Sequence, residues 1–324
     1  MQVSTQKGVD VNFTSAELTL SLDDFSKRIL QPAVSVLAAN IEADALNMAN
    51  DVYNAVNNIG SAIALSKVLG ARKLLNDNLT PMDDNRSVIL NTQDNVDLVD
   101  SLKGLFQDSA QISKQYKDGA MGRTAGFDFY ENTLMQNQTT GTAAAVTGYL
   151  TNGATASGAT TLVVDTGTTT FKKGDVITIA GVNRVHPETK ADTGVLQQFV
   201  VTADAGPSAT SLAISPAIIT SAGGGRQNVT AAPADNAAIS KIGGASAIYK
   251  PSLAFHKDAF TFATADLIDV SQFGAWGSRQ VMDGISMRIA RQYDINNDKI
   301  PCRIDVLYGY KTLRAQLAAR ILSN

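Results

Sequence analysis

Helical periodicity stops near Thr139, the style of the first part returns only after about Lys250, and this break constrains the chain more than any other feature. Before it, apolar residues recur at spacings of three and four. Within it, Thr, Ala, Gly and Ser dominate up to about Gly244. Short apolar, β-branched clusters are separated there by Gly-, Pro- and Thr-rich turns, which is a strand signal. The clearest is FKKGDVITIAGV, Phe171 to Val182. Lys172–Asp175 reads as a turn, and Val176, Ile177 and Ile179 follow as a strand. Thr161–Asp165, Asp175–Ala180, Gln198–Thr202 and Ser211–Ile214 are the strand candidates. Their spacing predicts a small barrel or sandwich. SAGGGRQN, Ser221 to Asn228, reads as a flexible loop. A Thr/Gly-rich linker is the competing reading, but the clusters around Val163 and Val176–Ile179 demand a core. Residues 139–250 are therefore expected to be a β domain inserted into a host of another style.

The host is read from both flanks. Val9, Val11 and Phe13, then Leu18, Leu20 and Leu22, alternate loosely with Ser and Thr, which predicts extended strand with one exposed face. Asp23 and Asp24 favour a helix start, because carboxylates complement the free N–H groups of a first turn. Leu30, Val34, Leu37, Ile41, Ala45, Met48, Val52 and Ala55 lie on one helical face. Pro32 kinks or restarts that helix. From Ala33 to Asn57 it would extend about 37 Å at ~1.5 Å per residue. A second helix is predicted over Ile63–Leu79, a turn at Met82–Arg86 and a buried strand at Ser87–Leu90. Thr92 is read as the cap of a third helix whose face holds Val96, Val99, Leu102 and Phe106. Phe127–Tyr130 is a strand after a glycine-punctuated loop. After Lys250 the first style returns. Ile285–Tyr293 and Cys302–Tyr308 alternate about an NNDKIP turn and predict a long antiparallel hairpin. Leu313–Leu322 reads as a short helical or extended tail.

The 324 residues suffice for two or three domains with a sizeable core. With 27 basic against 30 acidic residues the net charge is −3, so no basic excess points to nucleic acid as the main ligand. The 18% of charged residues is low for a soluble domain, which fits a surface partly covered by other chains. The single cysteine, Cys302, permits no intrachain disulfide. No stretch approaches the ~18 apolar residues of a membrane span. Catalytic patterns are thin. His186 and His256 have no metal-site spacing. Cys302 sits among apolar neighbours as a small hydrophobe. Asp83–Asp84 reads as a solvated turn, and Asp294–Lys299 lacks the glycine and terminal glutamate of a calcium loop. No enzymatic activity, metal or cofactor is expected.

Four stretches, taken in order, resemble the major capsid proteins of tailed bacteriophages. Val9–Asn57 is similar to the returning strand of an extended loop followed by a spine helix. NLTPMDDNRSVILNTQDNVDLVDSLKGLF and GAMGRTAGFDFYENTLM look like the A-domain turn, strand, helix and loop. FKKGDVITIAGVNRVHPETKADTGVLQQFVVTAD looks like an insertion-domain core, and LAFHKDAFTFATADL with the later hairpin looks like the return into the A and P domains. More narrowly the chain resembles the P-22-type coat proteins, which carry an Ig-like insertion domain.

The resemblance implies an α+β, HK-97-type capsid fold with a small all-β insertion. Residues 1–22 would be the extended-loop return strand, 23–60 the spine helix of the P domain and 61–138 the first part of the A domain. Residues 139–250 would be the inserted domain, and 251–324 the A/P return with its C-terminal hairpin. It implies a coat protein that assembles as pentamers and hexamers into an icosahedral head in the virion. Assembly would take place in the host cytoplasm, with a scaffolding protein and a portal, and with only nonspecific contact to packaged DNA. It implies no membrane partner. Candidate inter-subunit contacts are Val9, Val11, Phe13, Leu18, Leu20, Asp23, Asp24 and Arg28. Residues 3–22 are expected to be poorly ordered in an isolated monomer, because an extended arm cannot bury its apolar residues alone. Residues 139–250 are expected to fold on their own. Relatives carry an N-terminal arm and an outgoing loop strand ahead of the point matching residue 1. They also carry an acidic loop early in the insertion, where TLVVDTGTTT here holds only Asp165. The alternative function is a tail or surface adhesin whose β domain binds a glycan or protein.

Overall fold

The computed structural model describes residues 1–14, 31–102, 122–165, 167–282 and 284–323. In chain order the strands are β1 (Thr5–Thr14), β2 (Ala55–Asn57), β3 (Arg86–Leu90), β4 (Arg123–Thr124), β5 (Phe127–Glu131) and β6 (Gln138–Thr139). Next come β7 (Val146–Leu150), β8 (Ala159–Val163), β9 (Val176–Val185), β10 (Asp192–Val201), β11 (Ser211–Ile218) and β12 (Ala238–Lys241). The last six are β13 (Ile248–His256), β14 (Phe260–Ala265), β15 (Trp276–Met282), β16 (Ile285–Arg291), β17 (Lys299–Thr312) and β18 (Ala318–Ser323). The α-helices are α1 (Gln31–Leu46), α2 (Leu65–Asp77) and α3 (Thr92–Leu102). The chain divides into two compact units, Met1–Leu46 with Phe260–Lys311, and Asn47–Ala259 with Thr312–Asn324.

The first unit is a helix on an open sheet of order β1-β17-β16-β15, with β14 also paired to β17. The alternation in β17 puts Ile304, Val306 and Tyr308 on one face. They pack against Ala33, Leu37 and Ile41 of α1, which recur at i and i+4. The predicted hairpin of β16 and β17 is present, and its turn is closed by the Asp294–Lys299 bridge. β1 lies antiparallel along β17 from Thr5 opposite Tyr308 to Thr14 opposite Lys299. The arm over these residues therefore buries its apolar side within its own chain. β17 offers a strand edge and α1 an apolar face, so the pairing over Thr5–Thr14 gives this part of the arm a place on its own chain. Residues 15–22 lie outside the described residues.

The helix is shorter than its periodicity predicted. α1 has 16 residues, about 24 Å at ~1.5 Å per residue. Asn47–Asp51 tightens into a 3-10 turn, and Ala55–Asn57 is strand. The sequence NMAND supplies Asn and Asp, which favour turns over helix interiors. Asn54 then fixes an extended path: its amide donates to the Ala318 carbonyl at 2.9 Å, and its own carbonyl accepts the Arg320 N–H at 2.8 Å. Met48 and Val52 are buried as predicted, but in the second unit rather than on α1.

The second unit has a seven-stranded sheet of order β2-β18-β13-β3-β5-β4, with β6 on β13. Val68, Ala71 and Leu75 of α2 and Leu98 and Leu102 of α3 cover Val88, Leu90, Phe127, Ala254, Ala319 and Ile321. The cap of α3 is Asn91, whose side-chain oxygen accepts the Asp94 N–H at 2.8 Å, and not Thr92. The buried face of α3 is Asp94, Leu98 and Leu102, while Val96 is exposed. Phe106 lies outside the described residues. The C-terminal stretch is no tail: β18 lies between β13 and β2, and all six of its residues are buried. A strand covered on both faces loses the alternation that announces a strand.

Between β6 and β13 the chain builds a six-stranded antiparallel sheet of order β7-β12-β9-β10-β11-β8. Its two ends meet. Thr151 bridges Val164, the Asn152 N–H donates to Val163 at 3.0 Å and the Asp165 N–H to Leu150 at 3.0 Å. The result is a closed barrel, the first of the two forms that the strand spacing predicted. Register shifts between β9 and β10 mark the bulges that let ten-residue strands bend around it. Tyr149, Leu162, Phe171, Ile177, Ile179, Phe199, Leu212 and Ile239 fill its interior. β7 and β12 went unpredicted because Gly148 interrupts VTGYL and AISK is only four residues long. Ser221–Arg226 is a 3-10 segment where a flexible loop was expected.

Candidate functional site

The FKKGD turn is a mount. The Asp175 carboxylate accepts the N–H groups of Lys172 at 2.9 Å and Gly141 at 3.0 Å, which shapes the turn. Gly174 is left-handed, φ +96°, a conformation that suits a residue without Cβ. Its carbonyl accepts Arg320 Nη2 at 2.9 Å. Arg320 belongs to β18 and is completely buried. Burial pushes its guanidinium pKa down, while Tyr249, Asp175 and Asp51 favour the charged form. Burial also raises the Asp175 carboxyl against those same backbone hydrogen bonds. Gln198 of β10 donates to the Ala55 carbonyl at 2.9 Å and accepts the Ala55 N–H at 2.8 Å, so one amide side chain pairs with β2 as a strand would. Arg184 of β9 meets Asp77 of α2 at 2.8 Å. These contacts tie the barrel to the seven-stranded sheet.

In the first unit the sheet face turned away from α1 is polar. Asp305 is fully buried and takes a two-pronged bond from Arg288, Nε at 3.0 Å and Nη2 at 2.6 Å. Gln6 of β1 donates to it at 2.8 Å and Arg303 lies at 3.4 Å. Gly8 stands opposite, where a Cβ would lie 3.0 Å from that of Asp305. On the helix face Asp44 accepts Tyr308 at 2.5 Å and Lys7 at 2.6 Å. Burial works to raise the Asp44 carboxyl, but these two bonds outweigh it and hold it below its ordinary value.

Surface suited to neighbours lies elsewhere on this unit. Among the described residues β15 has a strand partner on one side only. Phe273 (69% exposed), Trp276 and Val281 lie on or beside it, and Ile295 (80% exposed) tips the β16–β17 hairpin. Arg291 stacks on the Trp276 ring at 4.1 Å. Trp276 and Val281, five residues apart on one strand, fall on opposite faces of the sheet, so each face keeps exposed apolar surface near this edge.

The sequence-predicted contacts divide. Phe13 is buried, Val9 packs on the α1 core and Val11 is half-buried. Leu18, Leu20, Asp23, Asp24 and Arg28 lie outside the described residues. His256, at the end of β13, is buried against Asp83 at 3.1 Å, and Asn85 with His256 holds the Asp83 carboxyl at about 2. His186 orders a turn by accepting the N–H groups of Glu188 and Thr189. Cys302 is buried, which pushes its thiol pKa up. Among the described residues no three His, Cys, Asp or Glu side chains converge as metal ligands. Arg320, Gln198 and Asp305 were missed. An arginine inside the apolar run AARILS was the available signal for the first.

A helix laid on an open sheet, a second sheet flanked by two helices and apolar surface left at a strand edge are what a shell subunit needs. The chain is a phage coat protein of mixed α+β architecture, a subunit of the phage head shell. It belongs to the P22 coat protein family: the family model described as "P22 coat protein - gene protein 5" matches residues 1–320. Its place is therefore the virion, and the adhesin alternative is set aside. Among solved structures it is similar to one from Mycobacterium phage Che8, with 12% identity, a TM-score of 0.48 and coverage of 98% of this chain and 71% of that one. It is similar to the bacteriophage PhiM1 mature capsid at 8% identity and TM-score 0.42, covering 100% of this chain and 72% of that one. The CUS-3 coat protein I-domain matches at 30% identity and TM-score 0.21, covering 29% of this chain and 92% of that one. No curated protein sequence matches.

Proposed function

We propose that this coat protein acts structurally and not as an enzyme, and that it builds its shell from pentamers and hexamers. The exposed apolar residues Phe273, Trp276 and Val281, on or beside the one-sided strand β15, carry this reading. A second copy laid there would bury apolar surface at about 25 cal/mol per Å². Val9, Val11, Leu18, Leu20, Asp23, Asp24 and Arg28 are proposed as further inter-subunit contacts, with Phe13 anchoring β1. A scaffolding protein would shape a precursor shell in the host cytoplasm around a portal. DNA would touch the inner surface nonspecifically, in line with the net charge of −3. Residues 139–250 are proposed as an inserted domain that folds on its own, because its apolar core is enclosed by its own strands. The test is electron microscopy of the chain expressed with its neighbouring genes. Closed shells or uniform capsomer rings are expected. Strictly monomeric or trimeric particles at high concentration would overturn the assembly reading.

A further inference from the structure

A cavity of about 380 Å³ opens beside the barrel, bounded among others by Arg184, Lys190, Arg226, Tyr53, Pro187 and Pro216. The chain as a whole carries net charge −3, yet three cations border this space and none of its lining residues is Asp or Glu. Arg184 is balanced by Asp77 at 2.8 Å, a carboxylate that also serves Lys73 at 3.0 Å. Lys190 Nζ donates to the carbonyls of Pro187 at 2.5 Å and Gln227 at 3.3 Å, which bear no net charge. Lys190 is also left-handed, φ 58°, and its N–H is held by the His186 carbonyl at 3.0 Å. A side chain with a Cβ is held there at a cost, and such backbone is concentrated at binding sites.

We infer that this cavity is a binding site for an acidic peptide segment whose carboxylates meet Lys190 and Arg226. The volume sits at the low end of the roughly 300–1,000 Å³ of ligand sites, so a few side chains fit and a folded domain does not. Pro187, Pro216, Val185 and Ile219 supply an apolar wall for the stems of Glu or Asp. The one aromatic residue, Tyr53, is 8% exposed, so no ring face is offered for stacking a base. That favours peptide over single-stranded nucleic acid. In the shell the segment comes from a second copy or from another virion protein. Only this choice of source, and not the site itself, rests on the assembly reading.

The test uses the purified full-length chain, fluorescein-labelled hexaglutamate and fluorescence anisotropy at low salt. Saturable binding is expected, weakened at least tenfold in Arg226→Glu, an exposed position whose change leaves the fold intact. Lys190→Met, checked for a native circular dichroism spectrum, is expected to weaken it as well. Competition by a peptide of residues 81–85 (PMDDN) at lower concentration than unlabelled hexaglutamate assigns the segment to a second copy. Competition by hexaglutamate alone assigns it to another protein, and both results support the site. Absence of saturable binding to the native chain, equal binding by Arg226→Glu, or displacement by oligothymidylate in preference to peptide overturns the inference. Shell formation scored by microscopy on the same preparation separates that outcome from a failure of the assembly reading.

Discussion

The barrel and the helix-on-sheet unit solve the same problem in opposite ways. The barrel pairs its last strand with its first and fills the interior with apolar side chains. The other unit leaves β15 one-sided among the described residues, buries a charged network around Asp305 and keeps Phe273 and Trp276 in solvent. A closed sheet completes itself, whereas an open one waits for neighbours. Within one chain, one sheet closes on itself and another keeps an unpaired edge among the described residues.

The sharpest way to break this contrast is to open the barrel core. Phe199→Ala removes a fully buried ring, at an expected cost of about 3–5 kcal/mol. Denaturant unfolding of residues 139–250 should show a cooperative transition that this variant shifts or abolishes. A gradual, non-cooperative curve for the native segment would mean that the barrel is not self-sufficient. Next in size, Asp305→Ala strands the largely buried Arg288 charge and is expected to cost about 3–5 kcal/mol, at the lower end because the Ile268 carbonyl still holds that guanidinium. Gly8→Ala crowds Asp305 and Arg303, for about 1–3 kcal/mol, with loss of amide protection along β1 as the readout.

Titration should separate the regions by sign. Asp44 has a lowered pKa, so its contribution is present above the unfolded value and is lost as pH falls through the folded one. Asp94, in the seven-stranded sheet, is raised to about 6 by burial, against hydrogen bonds from Ser252 and Ser323. Its contribution is present below the unfolded value and is lost as pH rises through about 6. Asp94→Asn should flatten the decline in thermal stability between about pH 4 and 6, while Asp44→Asn should leave that window unchanged. An unaltered slope in Asp94→Asn would remove this residue from the account. The smallest effect on the monomer is expected from Trp276→Ala, within about 0.5 kcal/mol, as for most surface changes. The same variant should impair capsomer formation by sedimentation. Loss of monomer stability with normal assembly would reverse the roles given to the two sheets.

Much of this was legible in the sequence where one periodicity rules. Val68, Ala71 and Leu75 announce α2, Cys302 to Tyr308 announce β17, and the loss of helical spacing after Thr139 announces the barrel. What escaped has physical causes. β18 is covered on both faces and so shows no alternation. The apolar spacing of α1 runs on through Met48 and Val52, but they serve another core after NMAND ends the helix. β1 was read as an arm needing a neighbour, because nothing local reveals that β17, some 290 residues on, offers an edge. The mount escaped for the same reason: Arg320, Gly174 and Gln198 become partners only through the fold.

The chain leaves the seven-stranded sheet and rejoins it at one point: Gln138 and Thr139 of β6 pair with Tyr249 and Ile248 of β13. Everything between is a cassette whose two ends touch, and its length is of little consequence to the strand register beyond the junction. Yet the cassette is not free to leave. Removing it would deprive the sealed Arg320 guanidinium of the Gly174 carbonyl. An ancestor or engineered subunit without the barrel would need an apolar residue at that position, so cassette and arginine are expected to be gained and lost together.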